Sequence, residues 1–203
     1  MAAHHRGCVA GESKFDQEFT VNRRAVLDGV VFVILVAVGI GSRLMQDASS
    51  LFPPNFHAIA ATTLFAGYYF RQRSLAASVP LVAMWLSDLI IGGYDWPVMI
   101  TVYSALTLPL VARTLLRRHL NPLTIGGSAL LFSVIFFVTT NFAVWATWAE
   151  TYTWASLVRT YVVALPFFAY TLCGDLTYAG AVFGAYALAK SWAGQSATAC
   201  QRA

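Results

Sequence analysis

The sequence has few charged residues, few cysteines and none of the common nucleotide or metal motifs. Only 11% of its residues are Asp, Glu, Lys or Arg, against about 25% in soluble domains, which excludes an ordinary soluble fold. Three cysteines cannot build a disulfide framework. The chain lacks G-x-x-x-x-G-K-[ST], H-E-x-x-H and C-x-x-C. Their absence excludes ATP hydrolysis in the usual way and the familiar zinc sites.

Apolar residues are abundant, at 58% of the chain, and they are grouped in six runs. A helix of about 20 apolar residues crosses a bilayer core about 30 Å thick. We therefore predict an all-α membrane protein with six transmembrane helices in one bundle. The predicted spans are residues 25–44, 56–70, 75–91, 97–111, 123–138 and 166–189. The second run is shorter than a span requires.

The basic residues predict the orientation of this bundle. With the amino terminus inside, eleven of the 13 Lys and Arg residues fall on the cytoplasmic side, as the positive-inside rule requires. The two exceptions are Arg43 and Arg159. Both termini are then cytoplasmic. We predict a multi-pass protein of the bacterial inner membrane with a mobile tail at 1–24, a membrane domain at 25–190 and a second tail at 191–203. The scattered basic residues favour contact with the lipid bilayer over nucleic acid.

Four polar residues lie within or beside the predicted spans: Asp28, Asp88, Asn141 and Asp175. Carboxylates inside a membrane usually face a protein interior or a water-filled cavity. Asp28 lies near the cytoplasmic Arg23 and Arg24, which favours a structural role. Asp175 has two readings, as a buried carboxylate bonded to neighbouring helices or as a contact to a ligand or ion.

The outer loops carry most of the remaining polar and aromatic residues, whereas the inner turns are short. This contrast favours a small-molecule site on the outer side, because such sites combine apolar walls with a few polar groups. Asn55 is also predicted to cap the second helix and His57 to bond in that cap region. An interfacial belt is the other explanation of the aromatics. The candidate ligand-binding residues are Asn55, His57, Asp88, Tyr94, Asn141, Trp145 and Asp175.

Several short motifs are spread across residues 42–188. They are Pro54-Asn55-Phe56, Ala58-Ile59-Ala60-Ala61, Ser87-Asp88, Thr140-Asn141-Phe142-Ala143-Val144-Trp145, Ala164-Leu165-Pro166-Phe167-Phe168 and Gly174-Asp175-Leu176-Thr177-Tyr178. Together these motifs resemble an uncharacterised bacterial membrane family labelled as transport proteins. The resemblance implies a shared fold. In that family Thr-Pro commonly stands where this chain has His57-Ala58, so the resemblance assigns no role to His57.

In size, span number and outer loops, the chain is also similar to the substrate-binding S components of energy-coupling-factor vitamin transporters. This similarity implies capture of a small nutrient such as a vitamin, with a transmembrane coupling subunit and ATPases as partners. No catalytic residue, cofactor or metal is predicted. One alternative is a non-catalytic scaffold of a membrane complex. Another is an intramembrane aspartyl protease, in which Asp88 and Asp175 would form a dyad and would have to be in contact.

Overall fold

A computed structural model describes residues 14–48 and 52–202, with side chains for 23–48 and 52–195. In these ranges the chain is all-helical and forms no strand. A 3₁₀ helix, Leu108–Ala112, joins α4 directly to α5. The α-helices are α1 (Lys14–Ala48), α2 (Ile59–Tyr69), α3 (Arg73–Ile91), α4 (Trp96–Thr107), α5 (Arg113–Arg118), α6 (Pro122–Trp148) and α7 (Trp154–Arg202).

Five of the described helical stretches are long and apolar enough to cross a membrane. Large apolar side chains cover their outer surface, as at Leu123 and Trp154, which are 84% and 78% exposed. An apolar surface of this extent is typical of contact with lipid. The five stretches are Arg23–Ala48, Arg73–Ile91, Trp96–Arg118, Pro122–Trp148 and Trp154–Gln195.

The helices extend beyond the boundaries that the sequence predicts. Helix α1 begins at Lys14, inside the predicted tail at 1–24, and α7 continues to Arg202, through most of the predicted tail at 191–203. Residues 1–13 lie outside the described part. The predicted boundaries at 25 and 190 therefore mark a change in composition and not the ends of the helices.

Helix α2 is the exception among the predicted spans. It has only 11 residues, which is about 17 Å of helix, so it is too short to cross a bilayer alone. It is also the most enclosed element, because eight of its residues are buried and it packs on α1, α3, α7 and the 3₁₀ helix. The predicted span 56–70 is thus a short central helix preceded by non-helical chain.

Two arginines stabilise the carboxyl end of α2. Arg117 donates from Nε to the carbonyl oxygen of Tyr68 at 2.8 Å and also bonds the carbonyl of Phe70. Arg113 donates to the carbonyls of Phe70 and Arg71 at 3.2 and 2.9 Å. Cations at this end satisfy the last carbonyls and oppose the partial negative charge of the helix dipole.

Candidate functional site

The non-helical segment before α2 begins with a tight turn. The Phe56 N–H donates to the Pro53 carbonyl at 3.2 Å, and Asn55 has a φ of 64°. Proline at the second position and asparagine with positive φ at the third are the pattern of a type II turn. The prediction that Asn55 caps α2 is wrong, because the N-cap residue is Ala58. Asn55 instead holds the turn.

The amino terminus of α2 lies deep in the bundle, beside the middle of α3. A Cβ on Gly39 of α1 would lie 2.9 Å from Ile59 Cδ1 and 3.1 Å from the Cβ of Ala83, and Ala83 is at the centre of α3. The Ala58 N–H donates to Ser42 Oγ at 2.9 Å. A side chain from α1 therefore caps α2 in place of a local residue.

Helix α7 presses against the same segment. A Cβ on Gly174 would lie 3.2 Å from the Phe56 Cα and 3.4 Å from the His57 nitrogen. Glycine, which has no Cβ, favours so close an approach of helix and chain. The Phe56 ring packs on Tyr178 of α7 and stacks on Phe52, with ring centroids 5.6 and 6.2 Å apart. The segment thus packs between α1 and α7, with Ala58 buried and Pro54 exposed.

Asp175 is the acidic residue beside the first turn of α2. It is 3% exposed, and its Oδ2 accepts a 2.6 Å hydrogen bond from Ser133 of α6. Together with Ala60 and Ala61 it lines a cavity of about 10 Å³, which is about the size of one water molecule. A carboxylate beside the amino end of a helix is favoured by the helix dipole and by the unpaired N–H groups of the first turn.

His57 places an unused polar atom in the same region. Its Nδ1 is buried and has no hydrogen-bond partner among the described residues. Buried polar atoms are nearly always bonded to protein or to ordered water, so an exception indicates strain, a water molecule or a ligand. The bonding expected for His57 in the cap region is absent at this nitrogen.

Asp88 belongs to a second polar cluster, between α1, α3 and α4. Arg43 donates to Asp88 Oδ1 at 2.6 Å and to Ser87 Oγ at 2.5 Å, while the Tyr103 hydroxyl donates to Asp88 Oδ2 at 2.8 Å. The Arg43 and Asp88 side chains are only 14% and 7% exposed. Tyr94 lies nearby, and burial together with the Asp88 charge raises its pKa to about 12. Sequence reasoning selected Asp88 but missed its partner Arg43.

Trp145 holds the junction of α6 and α7, whereas Asn141 bonds within α6. The Asn141 amide donates to the Phe137 carbonyl of its own helix at 2.8 Å. Trp145 donates to Ser156 Oγ at 2.9 Å, and its ring meets that of Tyr152 edge-on at 5.4 Å. These contacts give Trp145 a structural role in the turn between the two long helices.

The seven candidate residues therefore fall into three groups. Asn55, His57 and Asp175 surround the beginning of α2, whereas Asp88 and Tyr94 lie in the Arg43 cluster. Asn141 and Trp145 lie at the α6–α7 turn. No hydrogen bond among the described residues joins Asp88 to Asn141 or to Asp175, and the two carboxylates have separate partners.

The described side chains include no group of three or more His, Cys, Asp and Glu residues that could hold a metal ion. The polar groups at α2 can form hydrogen bonds and ion pairs with a bound molecule. They comprise one carboxylate, one imidazole nitrogen and the N–H groups of the first turn.

Five apolar spans around a short buried helix define a polytopic helical membrane protein. The chain belongs to a family of unknown function (DUF6580), whose sequence model matches residues 23–197. This match covers the whole membrane-spanning part and carries no assigned activity. No curated protein and no solved structure matches the chain.

Proposed function

We propose that the chain crosses a bacterial inner membrane six times and captures a small nutrient, such as a vitamin, from the outer side. It contributes to uptake of this nutrient without chemistry of its own. The binding site is centred on the beginning of α2. This proposal rests on one observation above all, which is that the second passage through the bundle is broken half-way.

Non-helical backbone at membrane depth leaves N–H and C=O groups without helical partners. It is tolerated where it is buried in protein or lines a cavity. In many transporters such broken helices form the substrate site, and the exposed amino end of the half-helix binds anionic groups. Here the non-helical part comprises residues 52–58, and α2 begins beside the centre of α3.

The residues around the non-helical segment supply both the polar groups and the apolar surface of a recognition site. The first-turn N–H groups of α2 can donate, Asp175 can accept, and His57 Nδ1 has no partner in the described part of the chain. Phe52, Phe56 and Tyr178 add aromatic surface. A ligand with a polar group and a ring matches this chemistry. Because the cavity beside Asp175 is only about 10 Å³, entry of such a ligand requires α7 to move away from the segment.

The direction of capture follows from the positive charges. Arg113 and Arg117 bind the carboxyl end of α2, and arginines at this end of the bundle favour the cytoplasmic side. The non-helical segment then descends from the outer side, and both chain termini are cytoplasmic. The loops that precede α2 and follow α3 and α6 face the exterior.

The chain carries no phosphate loop, which fits uptake driven by a separate ATPase. We propose a transmembrane coupling subunit with ATPases, as in the transporters whose S components the chain is similar to. In this arrangement the chain binds the nutrient and the partner hydrolyses ATP to drive its uptake.

A growth screen tests this function directly. A deletion strain is grown on limiting amounts of single vitamins and metals, and the defect is complemented with the native gene, with Asp175→Asn and with Asp47→Asn. The matched control Asp47 lies at the exposed end of α1. We expect one nutrient to limit growth and only Asp175→Asn to fail in complementation at normal protein level.

Two results would contradict the proposal. One is equal complementation by both variants. The other is growth on every nutrient by the deletion strain, together with stoichiometric co-elution of the purified protein with a larger membrane complex. The second result would assign the chain to the scaffold class.

A further inference from the structure

We propose a separate binding site for one anionic phospholipid of the inner leaflet, formed by two adjoining cavities at the cytoplasmic end of the bundle. One cavity is apolar and the other is basic. The site is independent of the nutrient site at the beginning of α2.

The apolar part is a groove of about 750 Å³ between α6 and α7. Its lining along α7 extends from Leu176 to Ser191. This is about 22 Å of helix, which is more than half of a bilayer core about 30 Å thick. Gly180 and Gly184 lie on its floor, and a Cβ on either would meet no atom within 4 Å. The glycines therefore leave an open channel of the length of an acyl chain.

The basic part is a cavity of about 370 Å³ lined by Arg24, Arg71 and Arg117, with Asp28 as the acidic residue. Clustered guanidinium groups repel one another at the edge of a low-dielectric region, and a bound anion offsets that repulsion. Basic pockets between transmembrane helices on the cytoplasmic side are typical binding sites for anionic lipid head groups.

The two cavities share Tyr68 and Tyr186, whose rings are 5.7 Å apart. Lys190 adds a further positive charge at the cytoplasmic end of the groove. A molecule that fills both cavities must carry a phosphate or similar anion at one end and an apolar chain at the other. A phospholipid with a negative net charge has this chemistry, whereas a free phosphate would leave the groove empty.

Native mass spectrometry of the full-length protein in mild detergent tests the site. Phosphatidylglycerol and phosphatidylcholine with identical acyl chains serve as probes. The variant Arg24→Gln/Arg71→Gln removes two charges from the basic cavity. Its matched control, Arg73→Gln/Arg118→Gln, removes two charges from the same end of the bundle but outside that cavity.

We expect the native protein to retain phosphatidylglycerol in preference to phosphatidylcholine, at one molecule per chain. The cavity variant should lower this retention on the order of tenfold, and the control should leave it nearly unchanged. Equal losses in both variants would overturn the proposal, because they would show only the general attraction of a basic surface. Equal retention of the two lipids by the native protein would also overturn it.

The groove is tested separately by filling it. Gly184→Leu keeps the charge and introduces a residue with good helix propensity, so it should lower lipid retention while the protein still elutes as a single species. Gly180→Leu provides the same test should Gly184→Leu fail to fold. Undiminished lipid binding in a folded variant would contradict the proposal. A dimer mass of the native protein that disappears with the substitution would also contradict it, because a second copy of the chain would then occupy the groove.

Discussion

At the scale of single residues, the pair Arg43 and Asp88 links α1 to α3. The sequence identifies Asp88 as a carboxylate near the end of an apolar run, and a carboxylate in this position requires a partner. Arg43 was one of two exceptions to the positive-inside pattern, and that exception was the available signal for the partner. Their pairing at 2.6 Å depends on the packing of α1 on α3, which the local pattern does not contain.

Breaking this pair should destabilise the protein. Arg43→Met or Asp88→Asn leaves one group without its ionic partner, and removal of one partner from a buried ion pair costs about 3–5 kcal/mol. The pair is partly exposed, so we expect the lower end of that range. The double variant should recover most of the loss. A double-mutant cycle on reversible unfolding in detergent measures this, and additive effects of the two substitutions would exclude a coupled pair.

Tyr94 gives a prediction at alkaline pH. Its pKa is raised to about 12 by burial and by the Asp88 charge, whereas an exposed tyrosine titrates near about 10. The neutral phenol therefore stabilises the fold below about pH 10, and this contribution is lost as the pH rises toward 12. The difference in phenolate absorbance between native protein and Tyr94→Phe should titrate near the higher value. A midpoint near the ordinary value would show that Tyr94 is exposed to solvent.

At the scale of secondary structure, α2 differs most from the prediction. The apolar run 56–70 predicted a span, and its shortness was visible in the sequence. The break itself was harder to predict, because the cap of α2 comes from Ser42 on another helix. Pro53, Pro54 and the positive φ of Asn55 keep the preceding chain out of a helix. These residues could have indicated a turn directly before the predicted span.

The close approach of α7 to the non-helical segment at residues 52–58 can be tested by adding one methyl group. A Cβ at Gly174 would lie 3.2 Å from the Phe56 Cα, which is backbone and cannot rotate away, whereas Gly180 on the same helix has no atom within 4 Å. Gly174→Ala should therefore lower the unfolding free energy by about 1–3 kcal/mol. Gly180→Ala should be neutral or stabilising, because alanine favours a helix. Thermal unfolding followed by circular dichroism compares the two, and equal stability would contradict the close contact.

At the scale of the whole molecule, composition and the apolar runs were sufficient to predict an all-helical membrane protein. Five helical stretches of the described chain are long and apolar enough to cross a membrane, against the six spans that the sequence predicts. The candidate site was less predictable, because Asp88 and Asn141 were assigned to one site only from their positions along the sequence. In the structure each has its own partner, Arg43 and the Phe137 carbonyl respectively. Which helices are neighbours depends on tertiary packing, and a single sequence does not encode it in any local pattern.

The proposed orientation predicts the labelling of single cysteines. In a background where Cys8, Cys173 and Cys200 are serine, an impermeant maleimide should modify Thr151→Cys in intact cells and spare Gln72→Cys. Both positions are in short connections between helices, so accessibility to the reagent is comparable once the membrane is opened. Labelling of Gln72→Cys in intact cells would indicate the opposite orientation, with the opening of the site on the cytoplasmic side.

We propose above all that a small polar molecule binds at the beginning of α2, beside Asp175. The most direct measurement is mass spectrometry of small molecules released from the protein after purification from cells grown in rich medium. Native protein, Asp175→Asn and Asp47→Asn are compared. We predict one small polar molecule that is enriched with the native protein and with Asp47→Asn and is lost with Asp175→Asn. Identical sets of molecules from all three proteins, or none from any, would contradict the claim.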